Sequence, residues 1–193
     1  MTEASGKTVV VVSGLPRSGT SLMMQMLQAG GMPLLCDGRR ASDEDNPQGY
    51  FEYEKVKALK KDASWLADAV GKAVKIITTH LYDLPAGYDY KVIFMERDLR
   101  EILLSQKKML RRRGETDEGP SDEVMSGHFM NHVKRLKEWL FEQPHMEVMF
   151  CSYRELVEDP SPLCNQIAAF IGQPLDIPAM LGAVDEKLYR NRM

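Results

Sequence analysis

The chain has 193 residues, a length that one domain with a substantial hydrophobic core accommodates. Its net charge of −3 at pH 7 argues against a general nucleic-acid binder, and its 44% hydrophobic content is ordinary for a soluble globular protein. Three cysteines are too few for a disulfide scaffold, and no CxxC or Cys/His cluster indicates a metal site, so we expect no metal.

The first residues do not have the features of a targeting signal. They are short and polar and lead directly into a predicted strand, and no run approaches the roughly 18 apolar residues that a membrane span needs. We therefore expect one soluble, cytoplasmic domain over 1–193, with no membrane span and no nucleic-acid partner.

The elements predicted in chain order alternate short apolar strands with helices. A strand over 8–13 leads through a glycine-containing turn to a helix over 19–28, and a long polar loop over 33–49 precedes a helix over 53–70. The remaining predictions are strands over 73–78 and 90–95, helices over 99–113 and 122–141, a strand over 147–151, and short helices beyond it. This alternation indicates an α/β fold, a short parallel sheet flanked by helices in a P-loop NTPase-like three-layer architecture.

The turn after the first strand has the spacing of a phosphate-binding loop. Gly14 and Gly19 are separated by four residues, after four consecutive valines and before an amphipathic helix. In such a loop, N–H groups and a helix N-terminus converge and bind a phosphate-like anion. The residue after Gly19 is Thr20 instead of the usual lysine, and Arg17 offers a replacement cation with a planar donor fork.

A second candidate segment follows the third predicted strand. Arg97 leaves that strand at the edge where parallel sheets bind ligands, and Ser105 lies about two turns into the following helix. If both residues were helical, helix rise would separate them by about 12 Å, which is too far to share one phosphate. They meet at one ligand only if Arg97 lies before the helix and folds back.

Together these segments resemble the sulfotransferase family that uses 3′-phosphoadenosine-5′-phosphosulfate (PAPS). The segment 16–21 is similar to the family's 5′-phosphosulfate loop, and Arg97 with Ser105 matches its 3′-phosphate motif, an arginine followed eight positions later by a serine. The segments 153–160 and 167–172 resemble the family's late Tyr-x-x-Leu segment and its closing helix. The matches occur in the family's order.

The resemblance implies roles for the matched residues. The 5′-phosphosulfate would be held by the loop residues Arg17, Ser18, Gly19, Thr20 and Ser21. The 3′-phosphate would be held by Arg97 and Ser105, and Tyr153 would lie beside the nucleotide. It also implies in-line sulfuryl transfer from PAPS to a hydroxyl or amine of a small-molecule or glycan acceptor, without a metal. Arg17 would then also act in catalysis by stabilising charge on the transferred group.

The catalytic base has two candidates. The segment 76–81 resembles the Lys-Thr-His-Leu-Pro segment of cytosolic sulfotransferases, so His80 matches their catalytic histidine while Thr78 replaces their lysine. Histidine titrates near neutrality and suits the role. The segment 46–52 resembles one in bacterial members, and Glu52 would match the glutamate base of other branches, which requires a pKa raised by burial.

Two basic segments have weaker implications. Cations in the run 107–113 are favoured by the dipole at a helix C-terminus, and they are also suited to binding an acidic acceptor or the nucleotide. Arg190 and Arg192 resemble the Arg-Asn-Arg with which bacterial members often end, and they would fold over the cofactor. We expect the acceptor pocket to be built from the segments 33–52 and 106–130.

Two other functions stay open at the level of sequence. An ATP- or GTP-dependent phosphotransferase would need a lysine where Thr20 stands and a Mg²⁺-binding acid after a strand, for which Glu96 or Asp98 is available. A non-catalytic nucleotide-binding module would use the same loop without a base. No motif in the chain specifies an acceptor or an oligomeric state.

Overall fold

The computed structural model describes residues 6–43, 46, 48–115 and 119–184. In these ranges the elements are β1 (Thr8–Gly14), α1 (Thr20–Ala29), a first 3₁₀ helix (Glu54–Ala58), α2 (Leu66–Ala69), β2 (Ala73–Lys75), a second 3₁₀ helix (Thr78–Asp83), β3 (Asp89–Glu96), α3 (Leu99–Arg112), α4 (Asp122–Phe141), β4 (Met146–Ser152), α5 (Tyr153–Glu158), α6 (Pro160–Ile171) and α7 (Ile177–Gly182). None of these helices combines the length and the apolar character needed to cross a bilayer.

The four strands form one parallel sheet in the order β2-β1-β3-β4. Helices cover both faces, which explains the unbroken valine run, since alternate residues of a strand enter opposite layers. Val10 and Val12 pack in a core cluster with side chains of α1, α6 and α7, whereas Val9 and Val11 pack in a second cluster with side chains of α2 and α4. The predicted three-layer α/β architecture is confirmed.

The strand order creates a crevice at the carboxyl edge of the sheet. The chain leaves β1 toward β2 on one side, and it leaves β3 toward β4 on the other. Gly14, at the end of β1, pairs with Met95 near the end of β3, so the loops that follow these strands start side by side. Parallel α/β sheets bind ligands at such a switch point.

The predicted helix over 53–70 is wrong. The structure has a short 3₁₀ helix and the short helix α2 instead, with a turn between them in which Asp62 Oδ1 accepts the Ser64 N–H at 2.9 Å. Such side-chain-to-backbone bonds compete with helical hydrogen bonds. Val56, Leu59 and Trp65 are buried on both sides of this turn, so their helix-like spacing reflects packing against the core.

The second strand is shorter than predicted. It ends at Lys75 instead of Thr78, although the Ile76 N–H still donates to the Val12 carbonyl at 3.0 Å. The β-branched residues after Lys75 favour a strand, but the chain turns there into the second 3₁₀ helix. His80 therefore lies on that helix, beyond the end of the strand.

Candidate active site

A cleft of about 590 Å³ opens at the carboxyl edge of the sheet, a volume typical of small-molecule and cofactor sites. Its walls are the loop after β1, residue 46 and residues of the segment 48–57, the end of β2, the second 3₁₀ helix, Arg97, and α3 from Ser105 onward. The sequence-predicted site residues that line it are Arg17, Gly19, Thr20, Ser21, Glu52, His80, Arg97, Ser105 and Tyr153.

The loop over 14–21, which we call the glycine loop, has no room for a side chain at either of its two glycines. Gly14 and Gly19 have φ angles of 149° and 102°, and a Cβ on Gly14 would lie 2.8 Å from the Met95 carbonyl oxygen. A Cβ on Gly19 would overlap the ring of Tyr153. Arg17 also has a positive φ of 73°, which is uncommon for a residue with a side chain. The loop is therefore held in a strained conformation by its surroundings, as functional loops often are.

Ser18 is placed differently from its neighbours in the loop. It is only 1% exposed and is not among the residues that line the cleft. Its N–H donates to the Leu15 carbonyl at 3.1 Å, and its buried hydroxyl has no hydrogen-bond partner within the described residues. Its N–H is thus engaged within the loop, and a role for Ser18 in holding the 5′-phosphosulfate stays a prediction.

Two arginines connect the loop to the segment after β3. Arg17 Nε donates to Ser105 Oγ at 2.9 Å, and Arg97 Nη1 donates to the Arg17 carbonyl at 3.1 Å. Arg97 precedes Asp98, the residue that caps α3. The Nε of Arg97 donates to Glu101 Oε2 at 2.8 Å. Arg97 therefore lies before the helix and folds back, as the helix-rise argument requires for a site shared with Ser105.

Tyr153 closes this end of the cleft. The Arg97 guanidinium lies over its ring, 4.4 Å from the centroid, in a cation–π contact. Burial raises the pKa of the Tyr153 phenol, so the group stays neutral at physiological pH. The side chains of Arg97 and Glu101 are both 7% exposed, and a buried pair of this kind is costly to break.

Lys75, the last residue of β2, is a site residue that the sequence reasoning missed. It is 9% exposed, and its Nζ donates to Ser21 Oγ at 3.2 Å and to the Tyr50 carbonyl at 3.0 Å. The same Nζ lies 3.9 Å from Glu52 Oε1. Burial lowers the pKa of Lys75 to about 8, although the attraction of Glu52 opposes that shift. A buried amino group therefore joins Ser21, at the end of the glycine loop, to the wall of the cleft that carries Tyr50 and Glu52.

The opposite wall is tied to the glycine loop and carries Glu52. Asn46 Nδ2 donates to Ser21 Oγ at 3.0 Å. Arg40 Nη1 pairs with Glu52 Oε1 at 2.8 Å, and its guanidinium lies 3.3 Å from the ring centroid of Tyr50. These contacts fix the direction of the Glu52 carboxylate.

The backbone of this wall is strained next to Glu52. Phe51 has a φ of 52°, in the left-handed region that residues with side chains seldom occupy. It stands between Tyr50, whose carbonyl accepts from Lys75, and Glu52, which lines the cleft. Its ring packs against the core cluster that contains Val10, so packing maintains the strained geometry at the site.

His80 faces the same cleft from the second 3₁₀ helix. Its Nδ1 lies 3.7 Å from Asp83 Oδ2, and its backbone N–H donates to the Ile77 carbonyl at 3.0 Å. The His80 side chain is 26% exposed and that of Glu52 is 35% exposed, so both candidate bases are accessible from the cleft. The structure brings the two rivals into one site.

The basic run reaches the cleft, whereas the C-terminal arginines lie outside the described residues. Lys108, Arg112 and Arg113 line the cleft, and the two C-terminal positions are Arg190 and Arg192. Among the residues that the structure describes, no group of three or more His, Cys, Asp or Glu side chains is placed to hold a metal ion.

Solved structures of low sequence identity share this fold. The sulfotransferase domain of the Synechococcus PCC 7002 olefin synthase aligns over 96% of this chain and 80% of its own, with a TM-score of 0.57 and 14% identity. A mouse sulfotransferase complexed with PAP aligns over 99% and 68%, with a TM-score of 0.55 and 14% identity. Retinol dehydratase in complex with androsterone and inactive cofactor PAP aligns over 98% and 67%, with a TM-score of 0.55 and 16% identity.

Sequence comparison identifies the family. A search of curated proteins finds no significant match. The family model described as "Sulfotransferase domain" matches residues 7–193, which is nearly the whole chain and includes every residue that lines the cleft. The chain therefore belongs to the sulfotransferase domain family.

Proposed function

We propose that this protein transfers a sulfuryl group from PAPS to a hydroxyl or amine of an acceptor. The observation that carries the proposal is the convergence of the glycine loop, Arg17, Arg97 and Ser105 on one cleft at the sheet's switch point. The family resemblance implies that the loop binds the 5′-phosphosulfate and that Arg97 and Ser105 bind the 3′-phosphate. Two structures with the same fold contain PAP, the 3′,5′-adenosine bisphosphate that remains when PAPS gives up its sulfuryl group.

The cleft fits a nucleotide with two anionic ends. Two glycines that have no room for a Cβ expose the loop backbone, and Arg17, Lys75 and Arg97 bring cations from three separate elements. A phosphate monoester carries nearly two negative charges at pH 7, and the phosphosulfate adds more. The donor set therefore suits PAPS, with Arg17, Thr20, Ser21 and Lys75 at the phosphosulfate and the Arg97 and Ser105 pair at the 3′-phosphate.

Charge stabilisation and positioning are the main tasks of the protein. PAPS supplies an activated sulfuryl group, and by analogy with phosphoryl transfer we expect in-line attack through a loose transition state. Arg17 and Lys75 would neutralise charge that develops on the leaving phosphate and the sulfonate oxygens. The wall formed by residues 48–57 would hold the acceptor against the loop, which lowers the entropic cost of bringing the reactants together.

We assign the base role to His80. Asp83 lies on the Nδ1 side of the imidazole and favours the tautomer that carries a proton there, which leaves Nε2 to accept the acceptor's proton. Glu52 instead makes a 2.8 Å pair with Arg40 and lies close to Lys75, and these contacts orient the wall formed by residues 48–57. Glu52 is therefore the second candidate for the base, and a positioning residue under our assignment.

Donor binding tests the proposal most directly. PAP at about 100 times its dissociation constant should stabilise the protein by roughly 2.7 kcal/mol, which raises the melting temperature by about 5–11 °C in a chain of this size. Adenosine 5′-monophosphate, which lacks the 3′-phosphate, should give a smaller shift, and Arg97→Gln should remove the difference. Stabilisation by ATP with Mg²⁺ but not by PAP would contradict the proposal and favour the phosphotransferase.

Substitution of the two candidate bases tests the mechanism. With saturating PAPS and the best acceptor from a panel of phenols and amines, His80→Ala should lower kcat by about 10²- to 10⁴-fold, since general-base catalysis contributes that much. Glu52→Gln should act mainly on the KM for the acceptor. Thr79→Ala, an exposed neighbour of His80, is the matched control. A larger loss of kcat in Glu52→Gln than in His80→Ala would reverse the assignment, and losses below tenfold in both would exclude both residues.

A further inference from the structure

The inner face of α3 presents a row of cations to the cleft. Ser105, Lys108 and Arg112 are spaced by three and four residues, so they lie on one face of the helix. Lys108, Arg112 and Arg113 all line the cleft, and we refer to these three residues as the basic rim. The rim extends outward from Ser105, which accepts the hydrogen bond from Arg17 of the glycine loop.

The wall of the cleft that carries Glu52 and Glu54 has balanced charge. The acidic residues among the described lining are Glu52 and Glu54, and each pairs at 2.8 Å with a cation on the same side of the cleft, Arg40 and Lys57, respectively. The charged lining residues that α3 and its C-terminal cap contribute are all basic. Among the described residues, eight basic and two acidic side chains line the cleft, and this excess of positive charge favours anionic ligands in a chain whose net charge is −3.

The helix dipole does not explain this arrangement by itself, because it favours cations at a helix C-terminus on every face. Lys107 points to another side, where its Nζ lies 2.7 Å from Asp122 of α4, and the exposed Arg111 does not line the cleft. At 1.5 Å rise per residue, Arg112 stands about 10 Å beyond Ser105 along the helix axis. The rim is therefore displaced from the end of the cleft where Arg97 and Ser105 lie.

We propose that the acceptor carries an anionic group, a carboxylate or a sulfonate-type group, which binds to the basic rim. Its hydroxyl or amine then points toward the glycine loop, so the rim selects acceptors by charge at a distance from the reacting atom. This inference rests on the proposed sulfotransfer function and adds the substrate class to it. The rival explanation is that the rim binds the donor's 3′-phosphate.

The test uses PAP-loaded protein and matched phenols. The probes are 3-(4-hydroxyphenyl)propionate, its neutral methyl ester, and 4-hydroxybenzenesulfonate, and their dissociation constants are measured by isothermal titration calorimetry. We expect the wild type to bind each anion at least tenfold more tightly than the ester. Arg112→Gln combined with Arg113→Gln should reduce that preference below threefold, whereas the control Arg111→Gln, a neighbouring exposed arginine, should keep it.

Donor affinity separates the possible explanations. All variants should bind PAP within threefold of the wild type, and a tenfold loss in the Arg112/Arg113 variant would assign the rim to the donor and overturn the inference. Equal affinity of wild type for anions and ester, including no detectable binding of any of them, would also overturn it, as would an equal loss of preference in Arg111→Gln. Failure of the wild type to bind PAP would instead contradict the sulfotransfer proposal.

Discussion

Lys75 shows how one side chain can connect the two halves of a site. Its amino group is buried between the glycine loop and the wall that carries Glu52, where it donates to Ser21 and to the Tyr50 carbonyl. The sequence offered one signal for it, a lysine between the apolar residues Val74 and Ile76 at the end of a buried strand. That signal was not usable alone, because only the contacts of Lys75 with residues 25 and 54 positions earlier show which way its side chain points.

Donor affinity should depend on pH through this residue. The pKa of Lys75 is about 8, against an ordinary value of 10.5, so the amino group loses its charge as pH rises through 8. An anionic donor favours the charged form, and binding above pH 8 must therefore take up a proton. The dissociation constant for PAP should rise above pH 8, by at most tenfold per pH unit.

Conservative variants identify the titrating group. Lys75→Arg stays charged at pH 9.5, so its PAP dissociation constant, measured by calorimetry at pH 7, 8, 9 and 9.5, should not show the rise. Lys72→Arg, which alters a lysine outside the cleft, should behave as the wild type does. A rise of the same steepness in Lys75→Arg would show that another group controls the pH dependence.

At the scale of elements, the turn between β1 and α1 followed from its local sequence. A valine run, two glycines four residues apart and an amphipathic helix define it within a short stretch of chain. The resemblance implied that Arg97 and Ser105 share one ligand, and helix rise allowed this only if Arg97 lay before the helix, which is where the structure has it. The shape of the wall that carries Glu52 did not follow, since it depends on a strained Phe51 and on contacts with distant elements.

The glycine turn should be intolerant of even one methyl group. In Gly19→Ala the Cβ would overlap Tyr153 at a φ of 102°, so either the loop or the ring must move, and PAP affinity should fall at least tenfold. Gly172 is the matched control, because it ends α6 at a φ of 74° with open space around its Cα. Gly172→Ala should lower the free energy of unfolding by about 1–2 kcal/mol and leave the affinity for PAP unchanged.

Two measurements on both variants distinguish these effects. Urea denaturation gives the free energy of unfolding, and calorimetry gives PAP affinity. If Gly19→Ala binds PAP as tightly as Gly172→Ala, the close approach of loop and Tyr153 has no part in donor binding.

At the scale of the whole molecule, the fold was the most predictable feature. Strand and helix alternation, with a valine run that can only be buried on both faces, specifies a covered parallel sheet. What failed was the choice between a helix and turns over 53–70, because buried residues such as Val56, Leu59 and Trp65 have the same spacing in either case. The end of β2 was also misjudged, since β-branched residues after Lys75 favour a strand that the tertiary structure does not continue.

The central position of β1 has a consequence for biosynthesis. The ribosome makes this strand before β2 and β3, the two strands that pair with its edges, so Val9–Val12 leave the exit tunnel without partners. At about 5–20 residues per second, translation reaches the start of β3 roughly 4–15 s after the end of β1. During that interval the nascent chain exposes an apolar, β-prone segment of the kind that aggregates, and pairing with β2 and β3 is what removes this hazard.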